Sequence, residues 1–221
     1  LTLYHRPDDL NLTTRLQAMN EIAMVHDALG NYVEAEPMLE ELLVRRTHTL
    51  GADHNDVIDA QIDLAIVYRR IGKFEQAENR CTTSLSQLND QNRSQDDPML
   101  LRCMTELSKI YLDSDKVLQA ESLARNTYER SRLSFGANHP KSLKRGQVLV
   151  ECLRKLGRLN DAQSLSNRIV SNLQFALGQS HPDTLGAMDS LANIAAARND
   201  LNLALEQYLE ILKLKEKALG S

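Results

Sequence analysis

The sequence predicts an all-α solenoid of five antiparallel helix pairs. An alanine recurs at Ala35, Ala77, Ala120, Ala162 and Ala204, in steps of 42 or 43 residues. A fixed period of this size indicates stacked helical units. Five residues before each of these alanines comes a glycine, aspartate or asparagine, residue types that tolerate the left-handed backbone at which helices end. A composition with only five prolines in 221 residues leaves room for long helices between those turns.

Each pair follows the same internal pattern. With the exception of His26, apolar or small residues lie 13, 12 and 9 positions before each alanine and form one face of a first helix. An apolar residue three positions before the alanine begins the second helix. We expect helices over 12–29 and 31–49, 55–71 and 73–89, 98–113 and 116–134, 140–156 and 158–177, and 182–198 and 200–219.

The joints between pairs also repeat. Glycines at 51, 136 and 178 are followed three residues later by His54, His139 and His181, and the last two histidines precede a proline. Such a glycine closes a helix, and proline fits the first helical position because its missing N–H needs no partner there. The third pair departs from the pattern, with Asp97 before its proline. The preceding loop, 90–97, is polar.

The repeats define the expected domain organisation. Residues 1–11 lack the pattern and are expected to be an N-terminal segment, the end of a preceding repeat. Residues 12–221 form one five-repeat domain, with repeats at about 12–53, 54–96, 97–138, 139–180 and 181–221. Since the chain begins with Leu1, we expect it to be a piece of a longer protein.

Bulk properties exclude several partners. The formal net charge is −4, which gives no overall attraction for nucleic acid, and stacking aromatics are lacking among the basic residues. No stretch of about 18 apolar residues occurs, so we expect no membrane insertion. Three cysteines, with no CxxC pair, indicate a reducing compartment, and we expect a cytoplasmic protein.

No catalytic constellation is found. The phosphate-binding, dinucleotide-binding, zinc-protease and nucleophile-elbow motifs are all lacking, so we expect no enzyme, no catalytic residues and no cofactor. His54, His139 and His181 suggest a metal site, but they fall on successive layers about 10 Å apart, too far for bonds of about 2 Å to one ion. We expect each histidine to cap a helix start or to pack against a neighbouring one, and we expect no metal.

The alanine spacing and the Leu-Gly-x-x-His-Pro joints resemble the tetratricopeptide repeat (TPR), in its 42-residue variety typical of kinesin light chains. The resemblance covers residues 12–220 and implies a right-handed superhelix whose concave face is built by the first helices. It also implies that the positions 18, 15, 11, 8 and 7 residues before each alanine face this groove.

Those positions predict a basic groove in the central repeats of an acidic chain. Its expected partner-binding residues are Arg69, Arg70, Arg102, Lys109, Lys144, Arg154 and Lys155, with an apolar floor of Ile62, Ile66 and Leu112. Arginine and lysine beside apolar surface suit an acidic peptide with an apolar anchor. The alternative interpretation is that these are solvated charges on exposed turns.

We therefore expect a non-catalytic scaffold that binds a peptide or domain of another protein. Two alternatives stay open. The chain is the sensor or autoinhibitory arm of a larger switch, such as a STAND-type NTPase or a kinase or protease fusion, and binds another part of its own parent chain. Or it self-assembles through its ends, since the leucine-rich last helix has little polar surface.

Overall fold

The computed structural model describes the backbone of residues 7–219 and the side chains of residues 12–218. Within these residues the chain forms ten α-helices and no β-strand. They are α1 (Pro7–Ala28), α2 (Tyr32–Leu50), α3 (Asn55–Arg70), α4 (Phe74–Asp90), α5 (Pro98–Asp113), α6 (Val117–Phe135), α7 (Pro140–Lys155), α8 (Leu159–Leu177), α9 (Pro182–Ala197) and α10 (Leu201–Leu219). The predicted all-helical repeat architecture is confirmed.

Nearly every predicted helix end lies within one residue of the observed end; the start of α1 is the exception. This helix begins at Pro7, five residues earlier than expected. Residues 7–11 are therefore continuous with the first repeat. The rest of the expected N-terminal segment, residues 1–6, lies outside the described part.

The joint histidines cap helices, as predicted. The Nδ1 atoms of His54, His139 and His181 each accept a hydrogen bond, 3.1 Å long, from the backbone N–H two residues later. In the third pair, the Asp97 carboxylate takes this place and accepts from Met99 N and Leu100 N at 2.9 and 3.0 Å. Each cap satisfies an N–H that has no partner inside its helix.

The turns within pairs also share one geometry. The residue five positions before each key alanine has positive φ, including the two non-glycine cases, Asp115 at 62° and Asn199 at 63°. One residue later, a backbone N–H returns to a carbonyl of the preceding helix, as from Lys116 N to Tyr111 O at 2.8 Å. This is the hydrogen bonding of a Schellman motif.

Between Ser94 and Gln95 the chain divides into two compact units, two residues before the predicted start of the third repeat. In the first unit, α1 packs on α2, α2 on α3 and α3 on α4, and α1 also contacts α3. In the second unit, α5 to α10 pack in the same sequential way, and α5 contacts α7, which contacts α9. First helices are thus neighbours within each unit. The division of residues 12–221 into five repeats stays a prediction.

The key alanines form the centre of each pair. The first four are fully buried and Ala204 is 4% exposed. A methyl side chain lets the two helices of a pair approach closely, which explains the recurrence of alanine. In the second unit the core extends from Leu112 to Ile211 and includes Tyr128, Leu143 and Ile169. Among residues 7–219, no helix is both long and apolar enough to cross a lipid bilayer.

Candidate functional site

The predicted groove residues of the first unit lie on α3. Arg69 and Arg70 end this helix, where Arg69 is partly buried and Arg70 is exposed. Arg70 Nε lies 3.1 Å from Asp27 Oδ1 of α1, and the guanidinium carbon lies 6.0 Å from the centre of the Tyr32 ring. Since Asp27 is only 4% exposed, Arg70 neutralises a buried carboxylate. Its charge already has a structural role.

The predicted apolar floor is mostly inside the core, which corrects the sequence analysis. Ile62 has no exposed surface and Leu112 is 6% exposed, so neither offers area to a partner. Ile66 is partly buried. The family resemblance places both positions on the groove face, but the surrounding structure covers their side chains.

Three of the predicted cations meet in one pocket of the second unit. Arg102, Lys109 and Lys144 line a cavity of about 290 Å³, together with Lys141 and Arg145 of α7. We call this cavity the cationic pocket. It lies where the first helices α5 and α7 are neighbours and the end of α6 comes close. Five cationic side chains therefore border one concavity in a chain whose net charge is negative.

Phe135, the last residue of α6, lines the cationic pocket with its aromatic ring, and Pro98 also borders the pocket. Lys141 Nζ lies 5.5 Å and the Arg145 guanidinium carbon 5.8 Å from the centre of this ring, distances typical of cation–π contacts. The His139 ring lies on it at 5.4 Å between centroids. Burial lowers the pKa of Arg145, whose Nη1 donates to the Lys141 carbonyl at 3.2 Å. Phe135 is thus held by the two cations and the imidazole around it.

Two acidic residues already pair with cations of the pocket. Lys109 Nζ lies 2.7 Å from Glu106 Oε1, one turn earlier on α5, and Glu106 is 9% exposed. Lys144 Nζ lies 3.3 Å from Asp183 Oδ1 at the start of α9. Lys141 and Arg145 add two further cations beside these two pairs, so the site attracts negative charge even with both pairs formed.

The other two predicted cations of this unit lie outside the pocket. Arg154 Nε donates to Glu151 Oε2 at 2.9 Å, and this hydrogen bond raises the pKa of Arg154. Lys155 Nζ donates to the Leu112 carbonyl at 2.8 Å. Leu112 is next to the last residue of α5, so Lys155 satisfies a carbonyl at a helix C-terminus, where a cation is favourable.

A second cavity of about 360 Å³ lies between α6 and α8. Its arginines are bound to acceptors within the chain. Arg158 Nη2 lies 2.7 Å from Asp161 Oδ2, and Arg168 Nη2 donates to the Tyr128 hydroxyl at 3.0 Å. Arg125 Nε donates to Glu121 Oε1 at 2.9 Å. This cavity is larger, but its charges are balanced, so the cationic pocket is the better candidate.

The sequence analysis missed Phe135, Lys141 and Arg145, although the joints contained a signal. Lys141 stands two residues after His139, where the other joints have Asp56 and Asp183. Phe135 stands before the joint glycine, where the others have Leu50 and Leu177. Comparison of the joints with one another identifies the joint at Gly136 as the basic and aromatic one.

The cysteines are buried, which makes them poor nucleophiles. Burial raises the pKa of Cys152 to about 12, and the carboxylates of Glu121 and Glu151 act in the same direction. Cys81 and Cys103 also have no exposed surface. Among the described side chains, no group of histidine, cysteine and acidic residues is placed to hold a metal ion.

We expect Cys152 to resist alkylation in the folded protein. The thiolate is the reactive form, so a raised pKa lowers reactivity at pH 8; the thiolate fraction falls about a thousandfold from that of an ordinary thiol. Mass spectrometry after iodoacetamide treatment measures this, with the urea-unfolded chain as the control. Labelling of Cys152 in the folded protein as fast as in urea would contradict its burial.

Solved structures share this fold over nearly the whole chain. The nearly identical TPR-like repeats of a Podosopora anserina kinesin light chain superimpose with a TM-score of 0.75 and 22% identity, covering 94% of this chain and 97% of that one. BtubC (BKLC) from P. vanneervenii gives a TM-score of 0.76 at 18% identity, covering 99% and 85%. A Rap protein complexed with competence and sporulation factor gives 0.75 at 14%, covering 94% and 58%. At these identities the likeness establishes the fold.

The sequence itself matches a repeat family. No curated protein matches the chain significantly. One model of the tetratricopeptide repeat matches residues 14–89 and 146–217, and a second model of the same repeat matches 100–141. Because the first model alone covers more than half of the chain, the protein belongs to the tetratricopeptide repeat family, whose members are typically non-catalytic scaffolds for protein interactions.

Proposed function

We propose that this chain is a peptide-binding scaffold and that its cationic pocket takes an acidic segment, from another protein or from the same parent chain. One observation supports the proposal above all. Arg102, Lys109 and Lys144, chosen from the sequence as groove residues, border a single cavity with Lys141 and Arg145. Convergence of cations costs free energy by mutual repulsion, and a bound anion relieves that cost.

The shape of the cationic pocket favours one class of ligand. About 290 Å³ is at the lower end of ligand cavities and accommodates one large side chain rather than a whole cofactor. The Phe135 ring provides an apolar wall for such a side chain, and the surrounding cations provide donors for carboxylates on either side of it. An extended peptide with one aromatic or apolar anchor between acidic residues fits both features.

The energetics predict salt-dependent binding. A single exposed ion pair contributes about 0–1 kcal/mol, and dissolved salt weakens the attraction between exposed charges. The binding free energies of several such ion pairs around an anchored side chain add up, because the ligand excludes water from the pairs. We therefore expect weak binding at high ionic strength and a fast association rate at low ionic strength.

An array of random eight-residue peptides tests this function. We expect the bound peptides to be enriched in aspartate and glutamate and to contain one aromatic or large apolar residue. The variant Arg102→Glu/Lys141→Glu is expected to lose this binding by about a hundredfold, since it removes two donors and adds two repelling charges. Both positions lie on the surface of the pocket, so circular dichroism should be unchanged.

The matched control is Arg15→Glu/Arg125→Glu, which changes the net charge equally outside the cationic pocket. Arg125 also lines the second cavity, so loss of binding in the control alone would move the site there. Bound peptides without acidic enrichment, or equal binding by the pocket variant and the native chain, would overturn the proposal.

A further inference from the structure

The last described helix presents an exposed row of leucines. Leu201, Leu205, Leu209 and Leu212 are 64%, 59%, 48% and 50% exposed. Their spacing of four, four and three residues places them on one face of α10. We call this row the leucine stripe. Among the described helices, α10 packs on α9, with Ala204 and Ile211 buried. Single exposed leucines are common, whereas a contiguous apolar patch marks an interaction surface.

The stripe is not a consequence of the repeat pattern. Its second and third leucines stand at positions that are polar in the other repeats. Eight residues after the alanine every repeat is apolar, but one and five residues after it the first four repeats are polar. Those pairs are Glu36 and Glu40, Glu78 and Thr82, Glu121 and Arg125, and Gln163 and Asn167. Only α10 has leucines there, at 205 and 209. Stacking like that of the other repeats does not require them.

We propose that two copies of this chain pair through antiparallel packing of their α10 helices along the leucine stripe. The charges beside the stripe select this occupant and this direction. Glu206, Glu210 and Lys213 each directly follow a stripe leucine, so they form a row on one side of it, which Lys217 continues. All four side chains are exposed. The row is acidic toward the start of the helix and basic toward its end.

Antiparallel pairing brings opposite charges together. With the two-fold axis between residues 209 and 210, Glu206 of one copy lies opposite Lys213 of the other, and the contact occurs twice. Parallel pairing about a two-fold axis would place the two charge rows at opposite edges of the interface, so Glu206 and Lys213 would form no such contacts. A two-fold interface needs one self-complementary patch, and the leucine stripe with its charge row is such a patch.

The expected dimer is weak. One helix face offers less than the roughly 800 Å² per partner of a standard stable interface. We therefore expect a monomer–dimer equilibrium with a dissociation constant in the micromolar range. No species larger than the dimer should form, because one partner covers the whole patch.

Sedimentation velocity over a concentration series of the 221-residue chain measures this equilibrium. The variant Leu205→Glu/Leu209→Glu is expected to be monomeric, with a dissociation constant raised about a hundredfold or more. Both leucines are exposed in the single chain, so its helicity and melting temperature should not change. The control Leu118→Glu/Leu133→Glu makes the same change at residues 74% and 88% exposed elsewhere in the second unit, and should dimerise normally.

Charge exchange tests the direction. Glu206→Lys and Lys213→Glu should each weaken self-association about tenfold, since each puts like charges opposite one another at both contacts. A mixture of the two variants should form heterodimers, because every contact then joins a lysine to a glutamate; the double variant should dimerise like the native chain. A native chain that stays monomeric overturns the proposal. Species larger than a dimer overturn it also. So does a mixture that self-associates no more strongly than either variant alone.

Discussion

Replacement of Gly146 by leucine is expected to lower the free energy of unfolding by about 3 kcal/mol, the cost of forcing extra atoms into a well-packed core. Gly146 is buried in α7, and a Cβ placed on it would lie 2.9 Å from Ile169 Cδ1 and 3.0 Å from Tyr128 Cε2. Ile169 can adjust its terminal methyl. Tyr128 is fixed, since Arg168 bonds its hydroxyl and Arg132 lies 5.7 Å from the ring centre.

Gly186 is the matched control for this prediction. It lies in α9, is exposed, and has no atom within 4 Å of an added Cβ. Gly186→Ala should therefore stabilise the chain by about 0.5–1 kcal/mol through helix propensity. Urea unfolding followed by circular dichroism measures both changes. An unaltered stability of Gly146→Leu would show that α6, α7 and α8 are not in close contact at this point.

Removal of the Arg70 side chain is expected to cost about 2 kcal/mol, more than an exposed ion pair normally contributes. Asp27 is 4% exposed in the native chain, and the variant removes the cation that lies 3.1 Å from its carboxylate. The full cost of an unpaired buried charge does not apply, because the Arg70 side chain is itself 39% exposed.

A double-mutant cycle separates this cost from lost packing. Asp27→Ala/Arg70→Ala should be more stable than Arg70→Ala alone, since the uncompensated charge is gone. As a comparison, Lys144→Ala breaks a pair in which Lys144 is 64% exposed, and should change the unfolding free energy by less than about 0.5 kcal/mol. Equal losses in Arg70→Ala and Lys144→Ala would exclude a structural role for Arg70.

The helices were predictable because their signals are local. A capping residue, a proline at the first position and a left-handed residue after the last turn each act within a few residues, and 19 of the 20 ends follow from them to within one residue. The predicted start of α1 was wrong because the repeat pattern begins at residue 12, whereas residues 7–11 continue the helix.

The candidate site was predictable only in part, because it depends on contacts between helices. The internal pair of Lys109 with Glu106 has i, i+3 spacing and was readable in the sequence. The burial of Ile62 and the position of Phe135 beside Lys141 and Arg145 depend on how α5, α6 and α7 pack. Positions transferred from a family predict on which helix face a residue lies, but not how deeply its side chain is buried.

The pair of Glu106 with Lys109 gives the proposed site a built-in competitor. A peptide carboxylate that approaches Lys109 must displace a carboxylate of the chain itself, so one contact is exchanged for another and the net gain at this cation is small. A ligand with a single negative charge gains little from such an exchange, whereas a ligand with several also reaches the cations that Glu106 does not neutralise. In the proposed site, Glu106 thus favours segments with several negative charges. Weakly acidic segments, which are abundant in any cell, bind poorly.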